Sequence, residues 1–111
     1  MDSATGGPGS LVVLGLQNDE TTVHLNVGQR VLVELSGNST MGWHQPTSDG
    51  SAIVRRVAFG GFPTNFPAVG LFVAVRPGAA TISAQSDAAC FYSQPPCLIP
   101  VQLWRVSVLV G

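Results

Sequence analysis

The sequence predicts an all-β protein, an antiparallel immunoglobulin-like β-sandwich of about seven to eight strands. Apolar and polar residues alternate along several short segments, turn signals separate these segments, and no segment has a helical period. Alternation is typical of strands with one buried face. It favours antiparallel pairing, because strands buried in parallel sheets are apolar on both faces.

The first three predicted strands follow one another closely. Residues 11–16 form an apolar run, which ends at the turn-like residues 17–20. Residues 21–27 alternate between apolar and polar side chains, and residues 30–35 alternate again after Gly28 turns the chain. These segments predict strands that each bury one face.

Four more strands are predicted after a long polar loop at residues 36–50. They span residues 52–59, 70–75, 79–86 and 102–110. The second and third of them are joined by Arg-Pro-Gly, a strong turn signal because Pro presets φ and Gly accepts a positive φ. The last strand alternates most regularly, with Trp and Val residues on one side.

Composition narrows the function classes. The chain has 111 residues, which suits one domain, and we expect that domain at residues 11–111 after a flexible Gly/Ser/Pro-rich linker at residues 1–10. A hydrophobic fraction of 45% with 10% charged residues excludes a disordered chain. A net charge of −1 without a basic cluster argues against nucleic acid as a partner. No apolar run reaches the roughly 20 residues of a membrane-spanning helix. We expect a monomer.

The segment from Thr21 to Pro46 resembles the signature segment of the chagasin family of cysteine-protease inhibitors. In that family a strand pair with the pattern VxVGxxxxIxL leads into a loop of the form Asn-Pro-Thr-Thr-Gly-aromatic. The matching residues here are Val27 and Gly28, followed by Asn38, Ser39, Thr40, Met41, Gly42 and Trp43. The resemblance continues through a second loop at residues 66–70 and a third loop to the end of the sequence.

The resemblance implies an immunoglobulin-like fold and a protein partner, a papain-like cysteine protease. Inhibition would be reversible, with loops 36–46, 60–70 and 87–100 inserted together into the active-site cleft. The residues predicted to contact the partner are Asn38, Ser39, Thr40, Met41, Gly42, Trp43, Phe66, Pro67, Gly70, Phe91 and Tyr92.

The sequence departs from the family pattern in all three loops. Ser39 replaces the usual Pro, Met41 replaces the usual Thr, and the Gly-rich second loop retains only Gly70. The third loop lacks the family's Arg-Pro-aromatic motif. A second interpretation therefore stays open, that of an immunoglobulin-like structural or adhesive ectodomain module with no protease target.

The aromatic residues allow two interpretations each. Trp43 could supply contact area to a partner, or it could pack into the core beneath the first loop. Phe66, Phe91 and Tyr92 could form an exposed apolar surface, or they could close the end of the sandwich.

Cys90 and Cys97 predict one disulfide, because they are the two cysteines of a small domain and enclose six residues. A zinc site would need about four ligands, and His24 and His44 have no ligand-like spacing. The sequence shows no catalytic motif, so we expect no enzyme activity, no metal and no cofactor. A disulfide also indicates a secreted or extracytoplasmic protein, which a segment outside this sequence could anchor.

Overall fold

Two β-sheets pack face to face in the computed structural model, which describes residues 11–36, 42–60, 68–87, 94–95 and 100–111. Within these residues the strands are β1 (Leu11–Leu14), β2 (Thr22–Leu25), β3 (Arg30–Leu35), β4 (Gly42–Trp43), β5 (Thr47–Ser48), β6 (Val54–Gly60), β7 (Ala68–Ala74), β8 (Gly78–Asp87) and β9 (Leu103–Val110).

The strand order defines the two sheets. Sheet A has the order β1-β3-β7-β6, and sheet B has the order β2-β9-β8-β4, with β5 also paired to β8. The all-β sandwich predicted from the sequence is confirmed, and all seven predicted strands are present with their ends shifted by a few residues. Two further short strands, β4 and β5, lie within the predicted loop 36–50.

The alternating side chains fill the space between the sheets. Val31, Val33 and Leu35 of β3 are fully buried, and every second residue of β9 from Trp104 to Val110 is buried. Trp104 and Phe72 are the largest fully buried side chains among the residues that the structure describes. Burying side chains of this size contributes about 1.5–3 kcal/mol each, which makes this layer the main source of stability.

Both sheets are mixed, whereas the alternation of the sequence favoured antiparallel pairing. β1 pairs with β3 in parallel, and β2 pairs with β9 in parallel, whereas the other pairs are antiparallel. The chain leaves β1 in sheet A, enters β2 in sheet B, and returns to sheet A as β3. Because the chain reverses twice, β1 and β3 run in the same direction.

A short 3-10 turn at Leu16–Asn18 makes the first of these crossings. The Gly15 N–H donates to Oδ1 of Asn18 at 2.9 Å, and Nε1 of Trp104 donates to the Gly15 carbonyl at 3.0 Å. The crossing segment is therefore fixed to the first residues of β9.

Candidate functional site

The three predicted loops begin and end at one end of the sandwich, which we call the loop end. In sheet A, Leu35 at the end of β3 lies opposite Ala68 at the start of β7. Gly60 at the end of β6 lies opposite Val69. The described residues that flank the first and second loops are thus neighbours in one sheet.

Sheet B brings the first and third loops together in the same way. Gly42 at the start of β4 lies opposite Asp87 at the end of β8. The Ser86 N–H donates to the Gln102 carbonyl at 2.9 Å, and the Gln102 N–H donates to Oγ of Ser86 at 2.7 Å. These two bonds extend the pairing of β8 and β9 past Leu103, the first strand residue of β9.

An open cleft joins the two sheets at the loop end. Its volume is about 530 Å³, and it is lined by residues from both sheets and from the crossing segment: Leu16, Asp19, Ser36, Trp43, Gln102, Leu103 and Trp104. Ser36 follows β3 of sheet A, whereas Trp43 and Leu103 belong to sheet B. Residues that flank the first and third loops therefore meet at this cleft, and the second loop adjoins the first through the pairing of Leu35 with Ala68.

The described members of the predicted contact set are buried. Gly42 and Trp43 form β4. Trp43 keeps only 7% of its surface exposed, so its side chain belongs to the core. Gly70 was predicted to belong to the second loop, but it lies inside β7, which already begins at Ala68. A Cβ at Gly70 would lie 2.8 Å from the Phe72 ring, so this glycine allows close packing in the core.

The other predicted contact residues lie outside the described residues. They are Asn38, Ser39, Thr40, Met41, Phe66, Pro67, Phe91 and Tyr92. Cys90 and Cys97 also lie outside them, so the disulfide remains a prediction.

Trp43 has an unusual polar environment. Its Nε1 atom is buried and has no hydrogen-bond partner among the described residues. The backbone of β4 is paired with Ser86, and the N–H of the following residue, His44, donates to the Gln85 carbonyl at 2.8 Å. Strand pairing fixes the backbone of Trp43, and burial in the core fixes its ring. Its indole N–H has no partner among the residues that the structure describes.

Sequence reasoning missed several residues that shape the loop end. Ser36, Ser86 and Gln102 belong to no motif. Ser36 lines the cleft, and the bonds between Ser86 and Gln102 extend the pairing of β8 and β9 past Leu103, the first strand residue of β9. Leu16 and Leu103 keep 42% and 54% of their surface exposed at the rim of the cleft. The regular alternation in β9 was the one available signal, because it predicted an outward Leu103.

The described residues offer little for catalysis. They contain no group of three or more His, Cys, Asp or Glu side chains that could hold a metal ion. His24 and His44 are both exposed. Over the same residues, no helix combines the length and apolar character that crossing a membrane requires.

Comparison with known proteins gives structural matches only. No family model matches the chain, and no curated protein matches its sequence. The chain is similar to the cysteine protease inhibitor EhICP2 from Entamoeba histolytica, with a TM-score of 0.65 and 14% identity over 91% of this chain and 95% of that one. It is also similar to amebosin, with a TM-score of 0.56 and 18% identity over 96% of this chain and 100% of that one. At these identities the likeness shows that the chain has the fold of these two proteins.

Proposed function

We propose that this protein is a secreted or extracytoplasmic inhibitor that reversibly blocks papain-like cysteine proteases with the loops at its loop end. The observation that carries the proposal is the convergence of the residues that flank all three loops. The segments whose sequences resemble the chagasin binding loops adjoin one another at the loop end, where residues that flank the first and third loops line one cleft. A cysteine protease inhibitor with the same fold supports the choice of target.

Inhibition of this kind needs shape and rigidity, not reactive groups. Each loop is fixed at both of its ends by strand pairing, which limits the entropy lost when the loops order on a protease. Three segments side by side could fill an elongated cleft and exclude substrate. No covalent bond to the catalytic thiol is involved, so inhibition is competitive and reversible.

The burial of Trp43 and Gly70 changes the roles that we assign within the contact set. In the proposed complex, the first contact is made by residues 38–41, and Trp43 supports them from inside by fixing β4 to the core. Gly70 permits the close packing beneath the second loop. Phe66 and Pro67 make the contacts of the second loop with the protease. Phe91 and Tyr92 supply the contacts of the third loop.

A matched pair of variants tests the proposal. Residues 38–41 are replaced by Gly-Ser-Gly-Ser, and the control carries Arg76→Ser in the exposed turn between β7 and β8, at the opposite end of the sandwich. Steady-state assays with papain should show that the loop variant inhibits at least about tenfold more weakly, which corresponds to about 1.4 kcal/mol. The control should inhibit like the original chain.

Equal inhibition by all three proteins would exclude the first loop from the contact. An absence of inhibition by the original chain at high micromolar concentration, across several papain-like proteases, would discard the inhibitor function. The structural or adhesive module would then be the better account. One observation favours that alternative, because burial of Trp43 removes the largest aromatic side chain of the first loop from the surface.

A further inference from the structure

The outer face of sheet A is apolar, in contrast to the outer face of sheet B. Across the four strands of sheet A, outward positions form one continuous row in register: Val13, Leu32, Leu71 and Ala58. The middle positions on β8 and β9 of sheet B carry Thr81, Ser83, Arg105 and Ser107, whereas the outward residues near the two ends of β9, Leu103 and Leu109, are apolar and exposed. The centre of the outer face of sheet B is therefore polar, and the centre of the outer face of sheet A is apolar.

Side chains on both sides of this row extend the apolar area. Leu11 and Val13 of β1 keep 50% and 54% of their surface exposed. Val69 and Val73 of β7 point outward and are half-buried. An exposed apolar area that crosses a whole sheet is rare on a soluble monomer and marks an interaction surface.

Three exposed charged residues lie on this face: Arg30 and Glu34 on β3, and Arg55 on β6 opposite Val73. Arg30 and Glu34 lie on β3, two residues before and two residues after Leu32, and both are exposed. Neither has an ion-pair partner in the described part of the chain. A two-fold axis along the row would place Arg30 of one copy opposite Glu34 of the other.

From this arrangement we infer that the protein forms a two-fold symmetric dimer through the outer face of sheet A. The two-fold axis lies between sheet A of one copy and sheet A of the other, and it follows the row through Leu32. The strands of the two copies therefore run in opposite directions. Each dimer contains two Arg30–Glu34 pairs that flank an apolar centre, and Val73 of one copy faces Val69 of the other. Isologous contacts of this kind are the commonest way in which soluble proteins associate.

The area of the outer face of sheet A indicates how strongly the two copies should associate. Four strands at a spacing of about 4.8 Å and six paired residues at about 3.4 Å give a footprint of roughly 400 Å² per copy. This is about half of the roughly 800 Å² per partner that stable complexes bury, so we expect the dimer to be weak. The inference does not rest on the inhibitor proposal. If both hold, the loop ends point in opposite directions and one dimer binds two protease molecules.

Charge exchange tests the dimer by sedimentation equilibrium between about 5 µM and 1 mM protein, a range chosen to bracket the affinity of a small interface. Arg30→Glu and Glu34→Arg each place like charges opposite one another, and each should raise the dissociation constant at least about tenfold. The double variant restores both pairs with reversed polarity, so its dissociation constant should return to within about threefold of the original.

A second pair of variants addresses the apolar centre. Leu32→Asp should leave the protein monomeric throughout the concentration range, whereas Ser83→Asp, on a central strand of sheet B, should dimerise like the original chain. Far-UV circular dichroism confirms that each variant is folded. A monomer at every concentration, a dimer unaffected by Leu32→Asp, or a double variant no better than the single ones would overturn the inference. Binding of the original, monomeric chain to lipid vesicles would also overturn it.

Discussion

The two tryptophans of the core differ in the hydrogen bonding of their indole N–H groups, which predicts different losses of stability when each is replaced by Phe. Trp104 is 1% exposed, and its Nε1 donates to the Gly15 carbonyl at 3.0 Å. Trp43 is 7% exposed, and its Nε1 is buried without a partner among the described residues. Replacing each by Phe keeps an aromatic ring and removes the indole N–H.

The magnitudes follow from three contributions. The smaller ring and the gap it leaves cost both variants about 1–2 kcal/mol. Trp104→Phe also loses a hydrogen bond worth about 1 kcal/mol, so its free energy of unfolding should fall by about 2–3 kcal/mol. Trp43→Phe removes an unsatisfied buried donor, which relieves a penalty of about 1–3 kcal/mol and leaves the free energy of unfolding nearly unchanged.

Urea denaturation at 25 °C measures the difference, provided that the slope of the free energy against urea concentration is the same for all three proteins. We expect Trp104→Phe to be less stable than Trp43→Phe by about 2 kcal/mol. The reasoning is refuted if Trp43→Phe loses as much stability as Trp104→Phe, because the indole N–H of Trp43 would then contribute a bond of its own.

Three other expectations concern covalent structure and glycine packing. Cys90 and Cys97 should give no free thiols when the protein, purified under oxidising conditions, is denatured and titrated; two reactive thiols would exclude the disulfide. Gly78→Ala should lower the free energy of unfolding by more than about 1 kcal/mol, because φ is +148° there and a Cβ would meet Ile53 at 2.6 Å. Gly70→Ala should cost about 1–3 kcal/mol in the same urea assay through overpacking against a ring that is fully buried. Unchanged urea midpoints would contradict the last two expectations.

Most of the fold could be predicted because local patterns determine it. β3 occupies residues 30–35 as predicted, since its alternation matches a strand with one buried face. β9 behaves in the same way, with Trp104 and every second residue after it buried. In such strands the apolar residues at every second position are the residues that face the core, so the sequence pattern identifies both the strand and its buried face.

The missed features depend on contacts between distant parts of the chain. β4 and β5 have two residues each, which is too short for any period, and they exist because β8 pairs with them. The parallel pairing of β1 with β3 follows from the route of the chain between the sheets. Alternation favoured antiparallel pairing, but β1 and β2 are edge strands with one exposed face, so they alternate although their pairing is parallel.

The location of the candidate site was predicted from the family resemblance and did not follow from the predicted strand order. The first and second loops are consecutive connections of the seven predicted strands, which would lie at opposite ends of a sandwich. They share an end because β4 and β5 carry the chain along β8 before β6 begins. The burial of Trp43 depends on packing that a loop sequence does not reveal. The apolar face of sheet A was hidden because outward Leu32 and Leu71 lie on strands whose inward residues are also apolar.

The central claim is that the loop end binds a papain-like protease, and amide chemical-shift mapping tests it most directly. Isotope-labelled protein is titrated with papain whose catalytic thiol is blocked. We predict saturable shifts at amides of the loop end, including Ser36, Gly42 and Leu103, with Gly28 and Gly78 at the opposite end unchanged. Shifts confined to that opposite end, or no saturable shifts, would contradict the account.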